Sequence, residues 1–491
     1  MRMRILLLLT ALLMGSCRPS VQPTPTGPVD QVDTAGTVDP VDTTQGIVLP
    51  ELKILSLTAP QYPAAEINLG EGEAELLFPY GADLSAVSLE FTLPEGIISD
   101  PLSGSEFNLE RKAKIFLRRE SDGAAAQYVL NASKAQQVAV RGLFLPSPSH
   151  TTSFSSYANV CASLDLMAQL HFNTLFVCSW AATKTSWNSE VLVSNTTYTE
   201  PSQGNMYAGY RGGSGDALKD IISEAHKRGI KVVLWFEYGF MHRIGGVDLQ
   251  DPLLARHPDW IGINNKGEYA NYNGTDFYLN AYSQEVRNFF LSLVREVMTK
   301  YPEVDGIQGD DRMPAMPVNS GYDDSTVALY KAATGSEPSL NYQSSAWLQF
   351  RLDILNAFAG ELWDLVKSIN PKTAVCFSPN NYPWCKDNLM QDWPTWVKEG
   401  HADLISVQCY IPANYENYVT RSLRYVDGTK FNPVMILKNG SKILSEEDIR
   451  SEIEINRSNM TCGESQFWFD GIRERESLFR ELYKDEVINP L

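Results

Sequence analysis

The chain has 491 residues, with 41 Lys plus Arg against 59 Asp plus Glu and a formal net charge of −18. That acid excess excludes a nucleic-acid partner, because phosphate binding needs a local surplus of cations. Seven Cys and six His show no spacing that suits zinc or an iron–sulfur cluster, so neither a metal nor another cofactor is expected.

The chain opens Met1-Arg2-Met3-Arg4, then runs apolar from Ile5 to Met14 and closes on Gly15-Ser16-Cys17. A basic start, a short apolar stretch and small residues make a secretory signal, too short to span a bilayer as a mature helix. The cysteine after Gly-Ser resembles a bacterial lipoprotein cleavage site. That resemblance implies loss of residues 1–16 and a lipid on Cys17. Arg18, in place of an aspartate, implies the outer membrane. The protein is therefore expected in the bacterial cell envelope, touching the membrane only through its lipid. Residues 17–48, rich in Pro, Thr, Val and Asp, carry too little apolar surface to repay ordering and read as a tether.

Residues 49–137 read as a small all-β, sandwich-like domain. Leu52–Leu55, Ala74–Phe78, Val87–Phe91, Ile115–Leu117 and Ala126–Leu130 are short apolar or alternating segments between turn residues. No catalytic constellation is visible there. A spacing role is expected, with glycan binding as the second option.

From 138 to 491 strands and helices alternate. Strands are predicted at 138–145, 173–178, 230–236, 304–308, 373–377, 404–408, 433–437 and 465–469. Helices are predicted at 157–170, 215–228, 283–300, 347–369, 389–399, 446–458 and 472–483. Eight such strands fit an α/β fold of the (β/α)8 TIM-barrel type. An open doubly wound sheet would need a glycine-rich phosphate loop after its first strand, where Pro146-Ser147-Pro148-Ser149-His150 stands instead.

In such a barrel the carboxyl ends of the strands face the active-site mouth. The segment Val304–Asp311 is a short apolar strand ending in two adjacent acids, Asp310 and Asp311, and Glu237 directly follows the third strand. Glycoside cleavage needs two carboxyl groups, one protonated to release the leaving oxygen and one ionised to attack carbon or activate water. Asp310 is expected to be nucleophile or base. Glu237 or Asp311 is expected to be the acid. Neighbours at a strand end should diverge, so Asp310 and Asp311 are not expected to point the same way. Asp305, at the start of the fourth strand, is at the wrong end for chemistry. A supporting ring of sugar-binding side chains is expected from His150, Trp180, His242, Asn380, Gln408, Tyr410, Lys438, Asn439 and Trp468. Asp470 joins the ring as an alternative acid. The expected substrate is a poly- or oligosaccharide, cleaved at O-glycosidic bonds by a monomer. The rival reading keeps the barrel as a non-catalytic glycan binder. Hydrolysis of an amide or ester finds no metal site or nucleophile–base pair.

Several linked segments resemble the bacterial glycoside hydrolase-like family 10 proteins. They are Arg141-Gly142-Leu143-Phe144, His257-Pro258-Asp259-Trp260, Leu279-Asn280, Val304–Ile307 with Asp310-Asp311, Phe377-Ser378-Pro379, Asp392-Trp393, and Gln408-Cys409-Tyr410. The resemblance covers about residues 138–480 and implies a TIM barrel acting on glycans. Gln308 and Gly309 stand where the family usually has His and a bulky residue, and Arg312 where an aromatic is common. The third strand reads Val233-Leu234-Trp235-Phe236-Glu237 in place of a His-Ala-Trp run.

Overall fold

The computed structural model describes residues 49–491, so the signal segment, Cys17 and the tether lie outside the described residues. The chain divides into two compact units, with residues 84–131 at the centre of the smaller and 132–491 making most of the larger.

The smaller unit is β-rich. Strands Glu66–Leu69, Glu73–Phe78, Ala125–Lys134, Ala113–Arg119 and Ile97–Asp100 lie side by side in that order. Alternation sets the faces: Ala74, Leu76 and Phe78 are buried, while Glu73, Glu75 and Leu77 are exposed. Two strand pairs, Ser56–Thr58 with Glu90–Thr92 and Val87–Ser88 with Glu106–Phe107, complete it. The strand expected at 52–55 begins only at Ser56. The one expected at Val87–Phe91 is broken at Leu89, whose amide bonds to Ser105 instead.

The larger unit is an eight-stranded parallel sheet with flanking helices. Its strands are β1 (Val140–Leu145), β2 (Thr174–Cys178), β3 (Lys231–Phe236), β4 (Gly306–Gly309), β5 (Ala374–Phe377), β6 (Leu404–Ile405), β7 (Val434–Ile436) and β8 (Gly463–Phe467). They pair in the order β6-β5-β4-β3-β2-β1-β8-β7. The two ends meet sparingly, through bridges Ile405↔Phe431 and Gln408↔Val434 and backbone hydrogen bonds from Asn432 to Ile405, Val434 to Val407 and Cys409 to Val434, each 2.9 Å. The sheet is thus curled into an incompletely closed (β/α)8-like fold.

A helix follows each strand: α1 (Tyr157–Gln169), α2 (Ala217–His226), α3 (Gln284–Lys300), α4 (Ser345–Ile369), α5 (Trp393–Lys398), α6 (Tyr415–Ser422), α7 (Glu446–Ser458) and α8 (Glu476–Leu482). Ser156, Asp216 and Ser445 accept from the third backbone amide of α1, α2 and α7, satisfying donors that the helix itself leaves free. The helix expected over 389–399 is split. Met390 ends a short helix, Trp384–Leu389, in a left-handed conformation with φ 53°, and Pro394 lies in the first turn of α5. Helix α6 was not expected; its apolar signal is only Tyr415 and Val419. Regular pairing of β6 stops at Ile405, short of the expected Gln408.

Strand alternation separates two cores. On β2 and β3, Leu175, Val177, Val232 and Leu234 join the large layer under the helices, while Phe176, Cys178, Val233 and Trp235 fill the interior of the curled sheet. Among the described residues no helix is long and apolar enough to cross a membrane, the cysteines are free, and no group of three His, Cys, Asp or Glu side chains is arranged to hold a metal.

Candidate active site

Register builds the site. Cys178, Trp235, Gln308, Cys376 and Leu404 are successive partners across β2 to β6 and form one interior layer. Two residues further along, about 6.6 Å towards the carboxyl ends, the same parity brings Glu237, Asp310, Ser378 and Ser406. Strand β2 leaves this layer because the chain turns at Ser179 into a hairpin of Trp180–Ala181 with Lys184–Thr185.

Above the layer lies a cavity of about 300 Å³. Glu237, Asp310 and Asp311 line it together with Arg312, Gln408 and Tyr410. His150, Trp235, Tyr238, Phe467 and Trp468 supply more of its wall. Asp310 and Asp311 both face it, contrary to the expected divergence. Strand geometry ends at Gly309, and a turn closed by Met313 N donating to Asp310 O (3.0 Å) redirects the second side chain. Gly309 itself admits no side chain, since a Cβ there would meet Met313 O at 2.3 Å.

The three acids have different neighbours. Asp310 is 2% exposed and accepts from Gln408 Nε2 at 3.0 Å. Burial pushes its carboxyl well above the usual carboxylate range, and Asp311 beside it adds to this against the pull of Arg312. Asp311 accepts from Arg312 Nη1 at 2.6 Å and from Asn380 Nδ2 at 3.1 Å. Burial works against the charge of Arg312, but Asp311, Tyr278 and Asp310 outweigh it and hold the guanidinium pKa above its ordinary value. Burial also raises Glu237, while the neighbouring Cys178 thiol and the Arg312 and His150 charges pull it back. Glu237 Oε2 is buried with no hydrogen-bond partner among the described residues. Burial, then Asp310 and Asp311, push the Tyr410 hydroxyl up, so it remains a neutral donor.

Residues 139–447 match the family described as Glycosyl hydrolase-like 10. The chain belongs to that family. The glycosyl hydrolase DigH of Escherichia coli strain K12 is 24% identical over 356 residues, covering 66% of this chain and 72% of that protein. DigH of Shigella flexneri matches with the same identity and coverage. In fold, the chain is similar to the glycoside hydrolase domain of PgaB (BpsB) from Bordetella bronchiseptica, with a TM-score of 0.50 at 13% identity, over 72% of this chain and 99% of that one.

Other residues expected in the ring lie in varied places in this family member. Asn380 does not line the cavity but reaches it through Asp311. Trp180 is buried on the helix side, donates to Gly239 O at 2.9 Å and packs on Phe289 and Phe290 of α3. His242 is buried away from the cavity, and that burial pushes its imidazole pKa down. Lys438 pairs with Glu474, and its neighbour Asn439 lines the cavity instead. Asp470 accepts from Thr151 (3.0 Å) and Ser153 (2.6 Å), tying the loop after β1 to the chain after β8. Asp305, at the opposite end of β4, bonds to Lys231, His226 and the Val232 amide.

Trp235, Tyr238, Arg312 and Phe467 were not on the expected ring. Trp235 shares the parity of Glu237, so its sequence position contained that signal. Arg312, noted only as a departure from the family pattern, is the counter-ion beside two acids. Gln308, another departure, is fully buried beneath them, with both amide atoms unpartnered among the described residues.

Proposed function

We propose that this protein is an O-glycosyl hydrolase acting on a polysaccharide. In this reading the curled sheet works as a (β/α)8 barrel, and Asp310 and Glu237 are its two catalytic carboxyls. The supporting observation is their convergence, from adjacent strands, on one aromatic-walled hollow where burial raises both acids and different neighbours act on each. The Gly-Ser-Cys17 motif supports a lipid-anchored protein of the cell envelope.

Asp310 serves as proton donor. Burial and the neighbouring Asp311 raise its carboxyl well above the usual carboxylate range, which favours the protonated form that the leaving oxygen needs. Glu237 serves as nucleophile or base. Its free Oε2 is available to the anomeric carbon or to a water, and Arg312 and His150 favour its ionised form. These roles exchange those expected from sequence order, because the charge on Asp311 falls chiefly on Asp310. Arg312 and Asn380 keep that charge in place. Tyr410 and Gln408 offer hydrogen bonds to sugar hydroxyls, and Trp468 offers a ring face.

Activity then requires Glu237 ionised and Asp310 protonated, which gives a bell-shaped pH profile with Glu237 on the acid limb and Asp310 on the alkaline limb. A panel of labelled polysaccharides and peptidoglycan fragments identifies the substrate. Asp310→Asn should lower turnover by about 10²–10⁴-fold, with much of the loss recovered on an activated aryl leaving group that needs no proton. Glu237→Gln should not recover that way. Unchanged turnover in Asp310→Asn would defeat the assignment. Glycan binding by the parent with no turnover across the panel would make the protein a non-catalytic binder.

A further inference from the structure

An aromatic pair stands beyond the cavity. Tyr272 and Trp384 meet edge to face with ring centroids 5.7 Å apart. Trp384 is 41% exposed, the one exposed tryptophan among the described residues, and Tyr272 is half-buried. They come from different loops. Tyr272 ends the short strand Asn271–Tyr272 after β3, and Trp384 begins the short helix after β5.

The loop after β3 builds part of the cavity wall, and the loop after β5 reaches the cavity through Asp311. Strands Met241–Ile244, Asp276–Tyr278 and Asn271–Tyr272 form an antiparallel sheet in which Ile244, Asp276 and Tyr272 lie directly opposite one another. Directly opposed residues share a face. With strands about 4.8 Å apart, the row runs roughly 10 Å from Ile244 to Tyr272. Ile244 lines the cavity. Asp276, in the middle of the row, is close enough to Arg312 and Tyr238 of the cavity to act on their charges. On the other loop, Asn380 holds Asp311 only four residues before Trp384.

We propose that Tyr272 and Trp384, with Asp276 between them and the cavity, form a distal sugar-binding subsite. It would stack a pyranose ring more than one sugar away from the reacting carboxyls. Resting on the glycosidase reading, this names the substrate class as an extended glycan chain in place of a terminal mono- or disaccharide. The rings take the apolar face of a sugar, and the Asp276 carboxylate accepts from its hydroxyls. Binding energy gathered there is available to the chemical step at the cavity.

The test uses chitohexaose, cellohexaose and xylohexaose, each beside its 4-nitrophenyl monoglycoside. For a hexasaccharide that is cleaved, the Tyr272→Ala/Trp384→Ala double variant should lower the ratio of kcat/KM for hexasaccharide over monoglycoside about tenfold. Binding of the hexasaccharide to Asp310→Asn protein should weaken by a similar factor when the two ring substitutions are added. Circular dichroism and thermal melting check that the variants fold, and Trp384→Phe should recover much of the ratio. An unchanged ratio, equal binding by parent and variant, or no binding of any hexasaccharide overturns the subsite. Failure of the catalytic reading shows separately, as full turnover in Asp310→Asn, and leaves the binding comparison to judge the subsite alone.

Discussion

Glu452, on α7, is 2% exposed, and neither carboxyl oxygen has a hydrogen-bond partner among the described residues. Burial, with a smaller contribution from Asp448 one turn earlier, pushes its pKa from 4.5 to about 8. The Cys409 thiol and Tyr415 hydroxyl near it are themselves held neutral by burial. A raised carboxyl pKa means that the folded chain holds a proton that the unfolded chain has released. The stability this gives is fully present below about pH 4.5, declines as pH rises, and is gone above about pH 8. At 1.36 kcal/mol per pH unit the interval sets an upper bound of about 5 kcal/mol. Water entry and local relaxation reduce the expected effect to about 2–3 kcal/mol. Glu452→Gln removes the titration and keeps the shape. The assay is urea unfolding of parent and variant at pH 5 and pH 9. The variant should gain about 2–3 kcal/mol relative to the parent on going to pH 9. Any cost of burying the amide is the same at both pH values and cancels. An identical difference at the two pH values would refute the reasoning.

Two further outcomes follow from the barrel. Cys178→Ala removes the thiol that pulls the Glu237 carboxyl down, so the acid limb of kcat/KM should move to higher pH and Cys178→Ser should move it back; an unmoved limb means that the thiol does not act on Glu237. Gly463 has φ 73°, and a Cβ there would meet Val140 O at 2.2 Å, so Gly463→Ala should break the start of the β1–β8 ladder and cost at least about 2 kcal/mol in denaturant unfolding. An unchanged midpoint would contradict that contact.

The strands of the larger unit were legible because their apolar runs are continuous and both faces are buried, as in Thr174–Cys178 and Lys231–Phe236. Asp310 and Glu237 were expected at the mouth only from their place at strand ends; both line the cavity because a residue two places past an inward side chain stays inward. That rule fails where the backbone leaves the strand. Trp180 follows a hairpin out of the interior, and Asp311 follows a turn into the cavity. Ion pairs between neighbours in sequence were also missed. Arg312 has no periodicity to reveal it, and its role emerges only once Asp311 and Asn380 converge. The short helices were obscure for a related reason, since six to eight residues give too few turns for a pattern.

The sparse junction between β6 and β7 has a dynamic consequence. Local opening of a fold begins where the fewest hydrogen bonds must be broken, and here that is the seam carrying the Gln408↔Val434 bridge. Gln408 is also the donor to Asp310. Each breath of the seam therefore loosens the hydrogen bond from Gln408 to Asp310, and amides of Cys409, Asn432 and Val434 should exchange with deuterium ahead of their counterparts in β2 and β3. On the proposed reading, a glycan lying across the mouth would hold the seam shut and slow that exchange.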